Sequence, residues 1–482
     1  MKNIFWKIAL LSAGLILLLA GLDFLAQWGI HPSHIGVAVV IVALVFLIRL
    51  VSPTLERMGN VPFFAGVLVV FLASRLAWLL IIPTLPTSDF QIYFQTACDI
   101  ATGKGVASDM WLFQNGWGYQ FFLSFIFRIL GCSLLVGKAM NLILGLATIP
   151  VLYHLAARFG GKAVGRWAVL LFVFWPVQLM FTSVLGTEHL ALLLALLGFL
   201  FGVRLLDSEG NLWFNAVLCS LFLTLGTIVR PATLLFLGAV GLALLFQKKP
   251  LKLRLFSALA LAATFLLLNG AYIMGLKTFN NGITPNPSFS LAESLLYGTN
   301  YEARGSWSQE DSNTINTWPK DNALKLSIRA IRQRLKTYKV RQIVSLLHWK
   351  NYEFWGAPAY GSFWSTYKLD RPSGISWLKS NESKLKLLSF LYQFFLIAGT
   401  FVTAIGLFCR RGTAKEAALL VTFISTTAMY LVLVATSRYS HSFMPLLFIL
   451  AGMGFASVWK IKDANENADQ ERKADTTSLA KE

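Results

Sequence analysis

The sequence predicts an all-α polytopic membrane protein: about twelve transmembrane helices, interfacial helices, and a long outer loop between late spans. Composition is the first reason. Of 482 residues, 56% are hydrophobic and 13% charged, and mean hydropathy is +0.61. Soluble domains carry roughly 25% charged residues, so a cytosolic enzyme, a disordered chain and a disulfide scaffold are all excluded. The second reason is the recurrence of apolar runs long enough to cross a bilayer, which takes about 20 residues each. The third is charge placement. The net charge is +19 (42 Lys+Arg, 23 Asp+Glu); one set of the basic residues lies in short loops, where they orient spans and meet anionic lipid, and most of the rest lie in the long outer segment, which is exempt from that rule. The net charge does not imply a nucleic-acid partner.

In chain order the predicted spans are Ile4–Ala26, His34–Ser52, Val61–Pro83, Leu134–Ala157, Ala163–Ser183, Thr187–Leu205, Leu212–Val229, Pro231–Phe246, Leu253–Met274, Leu385–Phe408, Thr413–Ala435 and His441–Trp459. The first is too long in its apolar part, and lacks the cleavage site, to be a signal peptide. Gly118–Leu130 is too short to cross and reads as an interfacial helix. With it left uncrossed, Lys2/Lys7, Arg49/Arg57, Arg158/Lys162/Arg166, Arg204, Lys248/Lys249/Lys252/Arg254, Arg410/Arg411/Lys415 and Lys460/Lys462 share one face. The positive-inside rule makes that face cytoplasmic. The expected organisation is a hairpin at 1–60, a core at 61–274 with a first outer loop at 84–117 and the interfacial helix at 118–130. An outer region at 275–384, terminal spans at 385–459 and a polar cytoplasmic tail at 460–482 complete it.

The outer face then receives the polar features. Ser88 and Gln91 fit the S-x-x-Q capping box, so a helix should start at Ser88 with Asp89 in its first turn and Tyr93 and Ala97 on the same side. An acid there complements the helix dipole, worth about 0.3–1 kcal/mol. The alternative is a working carboxylate at a cavity mouth. Glu188 opens a span after Gly186-Thr187 and has the same two readings. Arg230 precedes Pro231, and Arg438 stands where the last span turns, beside Tyr439; each is either an interfacial anchor or a phosphate ligand. His189 and His441 read as interfacial, Asp99 as solvated, and the spans as almost free of mid-bilayer charge. Cys98, Cys132, Cys219 and Cys409 suggest neither a metal site nor a disulfide framework. In the outer region, Ala323–His348 reads as one basic amphipathic helix with an apolar stripe of Leu324, Ile328, Ile331, Leu335, Ile343, Leu346 and Leu347. Six tryptophans there, Trp307, Trp318, Trp349, Trp355, Trp364 and Trp377, suit a membrane interface or sugar faces.

The stretch from Val61 to Gly105, with a span ending in Pro, then Asp89-x-x-x-Tyr93-x-x-x-Ala97 and a Gly turn, resembles the first outer loop of GT-C glycosyltransferases. These polyprenyl-phosphate-sugar-dependent enzymes include the protein O-mannosyltransferases and the lipid A aminoarabinose transferase. Gly165–Pro176 followed by Thr187-Glu188-His189-Leu190, Val229-Arg230-Pro231, Tyr297–Asp311, and Arg438-Tyr439 with Pro445 follow in the family's order. The resemblance runs from about Val61 to Gly454. It implies a GT-C-like core and transfer of a monosaccharide from a polyprenyl-phosphate donor to a cell-envelope glycan, lipid or protein, inverting the anomeric centre outside the cytoplasm. It implies Asp89 as base, and Arg438, Arg230, Tyr93, Glu188 and Tyr439 around substrate and phosphate. No cofactor is expected; Asp89 with Glu188 could hold a divalent ion weakly, an option set aside. The competing readings are a polymerase or ligase, or a transporter, of lipid-linked saccharides.

Overall fold

The computed structural model describes residues 10–16, 18–19, 50–104, 117–208, 210–279, 287–370, 381–408 and 412–457. Among these there are helices and turns but no strand; Thr84 and Leu369 form an isolated antiparallel bridge. Eight helices are long and apolar enough to cross a bilayer. They are α1 (Asn60–Ile81), α4 (Leu134–Val173), α6 (Glu188–Asp207), α7 (Leu212–Val229), α9 (Leu251–Phe279), α15 (Glu382–Phe408), α16 (Ala414–Val432) and the last span Ser437–Ser457. The last span is the most buried. Between them lie α2 (Asp89–Ala101), α3 (Trp117–Leu130), α5 (Pro176–Phe181), α8 (Leu234–Ala243), α10 (Pro287–Gly298), α11 (Gln309–Asn316), α12 (Ala323–Thr337), α13 (Val340–Asn351) and α14 (Tyr360–Thr366).

The difference from twelve spans has three sources. The 40-residue α4 would be about 60 Å long if straight, twice the apolar thickness of a bilayer. It is broken at Gly160 and at Gly161, whose φ is +79°, and Gly165 packs against Tyr153. The chain therefore reverses there, as the two predicted spans on either side of residues 158–162 require. Pro231–Phe246 is a shorter apolar helix. Most of the predicted 1–60 hairpin lies outside the described residues, as do Arg410, Arg411, Trp377 and the 460–482 tail.

Hydrogen bonds sort the helix ends into two sets. At one end Arg166 donates to Leu55 O, Met58 O and Asn60 Oδ1, and Lys162 to Met58 O. Asp207 there receives Arg158 at 3.6 Å and Lys415 at 3.2 Å. At the other end Asn141 donates to Thr182 O and Val184 O, and Lys138 to Thr84 O. Successive crossings connect these two ends, which places Asp89, Glu188, Arg230 and Ser437–His441 at the same one.

The interfacial helix α3 stays at that end. Its 14 residues reach about 21 Å, short of a bilayer. Its start touches Ile228 at the close of α7, since a Cβ on Gly118 would lie 2.7 Å from that side chain. Its end is tied to α2 by the disulfide Cys98–Cys132. That disulfide corrects the sequence expectation. The two cysteines are 34 residues apart and become neighbours only because α3 lies along α2, with Tyr93 against Tyr119 and Phe94 against Phe127.

A second correction concerns charge within the spans. Arg75 is fully buried inside α1. It donates to Val173 O at 2.6 Å and lies 4.3 Å from the Phe71 ring centre. It caps the Val173 carbonyl where α4 ends before Trp175-Pro176, the kind of partner a buried cation requires.

The outer region differs too. The single amphipathic helix expected over 323–348 is two helices, broken at Tyr338 and Lys339. The Tyr338 hydroxyl donates to Thr299 O and accepts from Tyr301 N. Part of its apolar stripe faces inward: Leu324 and Ile331, with the neighbouring Ala330, pack on a small core of Phe289, Ala292, Leu296, Ile315 and Ala323. Arg334 pairs with Asp311 at 2.5 Å beneath it.

Candidate active site

The site assembles from four element ends. The helix carrying Asp89 begins where the capping-box reading places it, with Ser88 at the N-cap and Asp89 in the first turn. Ser88 is the residue before α2, but it has φ +50° and makes no side-chain cap. Non-glycine backbone in that region costs about 1–3 kcal/mol, and here it adjoins the candidate base. Asp89 Oδ2 accepts from Arg438 Nη2 at 2.9 Å. Arg438 Nε reaches Glu188 Oε1 at 3.3 Å. The same Oε1 receives Arg230 Nη1 at 2.5 Å. Two carboxylates and two guanidiniums thus form one chain of charge, and their formal charges cancel.

Exposure divides the roles. The Asp89 side chain is 28% exposed and Arg438 14%, whereas Glu188 is 1% exposed. Asp89 opens outward, and Glu188 is the floor that holds both guanidiniums. Gly186 makes room for it: a Cβ there would lie 2.2 Å from Glu188 Oε2. Aromatic rings fill the remaining sides. Arg438 lies 5.0 Å from the Phe90 ring centre and 5.8 Å from Tyr439; Arg230 lies 5.3 Å from Tyr439. Such contacts stabilise a guanidinium by about 0.5–2 kcal/mol, most when desolvated. Tyr93 is buried beside Phe90 and Tyr119. Burial, reinforced by the nearby Asp89 carboxylate, pushes its phenol well above the usual range.

All six residues singled out in the sequence therefore meet. Sequence reasoning missed Phe90 as a platform and the packing of the two histidines beneath it. His189 and His441 are fully buried within the protein, with ring centres 5.8 Å apart. His189 lies between Gln178 Nε2 and Phe181 O, and His441 Nδ1 is 2.8 Å from Tyr360 Oη. This layer underlies the charged one. Asp99 is half-buried and accepts from Gln95 Nε2 at 3.3 Å. Among the described residues no group of three or more His, Cys, Asp or Glu could hold a metal. The two carboxylates that might have done so are each engaged by guanidinium. The arrangement can accept a proton at Asp89 and bind an anion at Arg438.

No family model and no curated protein matches the chain. Solved structures with related shape include the oligosaccharyltransferase AglB from Archaeoglobus fulgidus in complex with an inhibitory peptide and a dolichol-phosphate. It is 14% identical, over 84% of this chain and 52% of that one, with a TM-score of 0.46. The same A. fulgidus enzyme in complex with Zn and sulfate is 14% identical, over 81% and 49%, at 0.47. ArnT from Cupriavidus metallidurans bound to undecaprenyl phosphate is 14% identical, over 82% and 77%, at 0.40. The chain spans about half the length of the A. fulgidus protein.

Proposed function

We propose that this protein is an integral membrane glycosyltransferase of the GT-C kind. It moves a monosaccharide from a polyprenyl-phosphate donor to a hydroxyl or amine of a cell-envelope glycan, lipid or protein. The observation that carries this reading is the partly open Asp89–Arg438 pair on a buried Glu188–Arg230 floor. Glycosyl transfer from a phosphate needs a group to receive the acceptor's proton and a cation to stabilise the departing phosphate. The pair has one of each, 2.9 Å apart. On donor binding the phosphate takes over the guanidinium of Arg438, in the bidentate geometry Arg favours, and Asp89 is released toward the acceptor. The acceptor oxygen or nitrogen then attacks the anomeric carbon. The bond to the phosphate oxygen breaks with its electron pair leaving on the phosphate, and Asp89 receives the proton. Direct displacement inverts the anomeric centre. Arg230 and Tyr439 hold Arg438 and Glu188 in register.

The basic ends at residues 55–60, 158–166 and 415 lie opposite the site, so the positive-inside rule assigns the site to the extracytoplasmic face and both termini to the cytoplasm. The test is direct. Purified protein supplied with a polyprenyl-phosphate hexose and candidate acceptors should release polyprenyl phosphate only when an acceptor is present. Release by Asp89→Asn at the wild-type rate would remove the base assignment.

A further inference from the structure

The chain that leads into Arg438 is shaped from the outer region. Val434 N donates to Ser294 O at 2.7 Å and Ala435 N to Gly305 O at 3.0 Å. A Cβ on Gly298 would lie 2.4 Å from Val432 O, so the two backbones touch. Two residues further on, Ser437 N donates to Glu353 Oε1 at 3.2 Å. Of these partners only Glu353 acts through a side chain.

Ser437 is the first residue of the 3₁₀ turn Ser437–Phe443, which carries Arg438 and Tyr439. A helix start leaves amides without partners, and the preceding side chain usually accepts from one. Thr436 holds that position but makes no side-chain cap. Glu353 supplies the missing acceptor from 84 residues away. It stands on a π-helical turn, Tyr352–Gly356, a distortion often found at functional sites. The turn is fixed on three sides. Phe354 stacks on Tyr430 with ring centres 4.4 Å apart, Trp355 Nε1 donates to Thr427 Oγ1 at 3.0 Å, and Gln393 Nε2 donates to Trp355 O at 2.6 Å. Burial pushes the Glu353 carboxyl above its usual range, and the Ser437 amide pulls it back. The Ser437 side chain and the positive charge of Arg304 also favour the carboxylate, so Glu353 is held at the start of the last span by several contacts.

We propose that Glu353 is a positioning residue: it caps the first turn of the last span and so aims Arg438 between Asp89 and Glu188. This rests on Arg438 being the phosphate-binding cation.

The test measures binding of farnesyl phosphate to the full chain in nanodiscs by calorimetry, at a temperature where every variant is folded. Glu353→Ala should weaken Kd about tenfold, which is about 1.4 kcal/mol. Glu353→Gln, whose Oε1 can accept from the same amide, should stay within about twofold. Glu353→Asp keeps the charge but draws the acceptor back by one methylene, and should weaken binding like Ala. If Ala does not fold, the contrast between Asp and Gln decides. Equal loss in Gln and Ala, or none in Asp and Ala, overturns the proposal. Arg438→Ala separates this from the reading beneath it: wild-type binding by that variant would overturn the phosphate assignment itself.

Discussion

A carboxylate buried between two guanidiniums and one that opens to solvent fail differently when neutralised. Glu188 holds Arg230 and Arg438 at 1% exposure. Removing one partner of such a cluster leaves buried charge uncompensated and typically costs about 3–5 kcal/mol. Glu188→Ala should therefore lower the thermal melting temperature and the yield of folded protein together. Gly186→Ala should follow it in part, because its new methyl would displace the same carboxylate. Asp89 is more exposed, and pairs of that kind contribute about 0–1 kcal/mol. Asp89→Asn should melt within a few degrees of wild type yet lose about 10²–10⁴-fold in transfer rate, the usual contribution of a general base. A melting temperature for Asp89→Asn as low as that of Glu188→Ala would show the two carboxylates to be equivalent structural parts. These positions were readable in the sequence because each stands at the boundary of an apolar run, and boundaries can be counted. Which acid is floor and which is open could not be read, since exposure depends on how four separate ends meet.

At the scale of elements, α12 and α13 present a face that is left uncovered among the described residues. Val340 is 78% and Val344 59% exposed, with Ile328, Leu335 and Leu347 near 40%. Lys325, Arg329, Arg332, Lys336, Lys339 and Arg341 are exposed around them. No acidic residue occurs from 323 to 352. Apolar side chains ringed by cations match an anionic lipid surface. Amide hydrogen exchange across 325–347 should slow in nanodiscs containing anionic lipid relative to neutral ones, and the difference should shrink as salt rises. Equal exchange in both lipids would mean that the face does not meet the bilayer. The amphipathic period was legible in the sequence; the break was not. Tyr338 ends α12 because its hydroxyl is claimed by Thr299 O and Tyr301 N, a tertiary demand that no helical repeat announces. Glu353 was invisible for a related reason. It lies in an aperiodic stretch, and its partner is a backbone amide 84 residues away.

For the whole molecule, everything depends on which ends share a face, and Cys98–Cys132 tests that independently of any substrate. Disulfides persist in oxidising compartments outside the cytoplasm. This one joins the helix that begins with Asp89 to the turn just before α4. If the site faces outward, both sulfurs do too. Short-loop charge predicted that sidedness only on condition that Gly118–Leu130 stays uncrossed. The bond supplies the missing constraint, because a crossing α3 would carry Cys132 to the opposite side from Cys98. Sequence spacing could not reveal it, since contact between the two requires α3 to lie along α2 first. In intact cells carrying Cys409→Ser, an impermeant maleimide should label Cys98 and Cys132 only after an impermeant reductant, leaving the buried Cys219 unmarked. Labelling that requires permeabilised membranes would place Asp89 on the cytoplasmic side and end the proposed enzyme. The paired Cys98→Ser, Cys132→Ser variant should lose of order 3–4 kcal/mol, the loop-closure value for a 34-residue separation. Because the bond anchors α2 rather than the Glu188–Arg230 floor, its loss should loosen Asp89 while the two guanidiniums keep their places. Transfer should then fall more steeply than farnesyl phosphate binding.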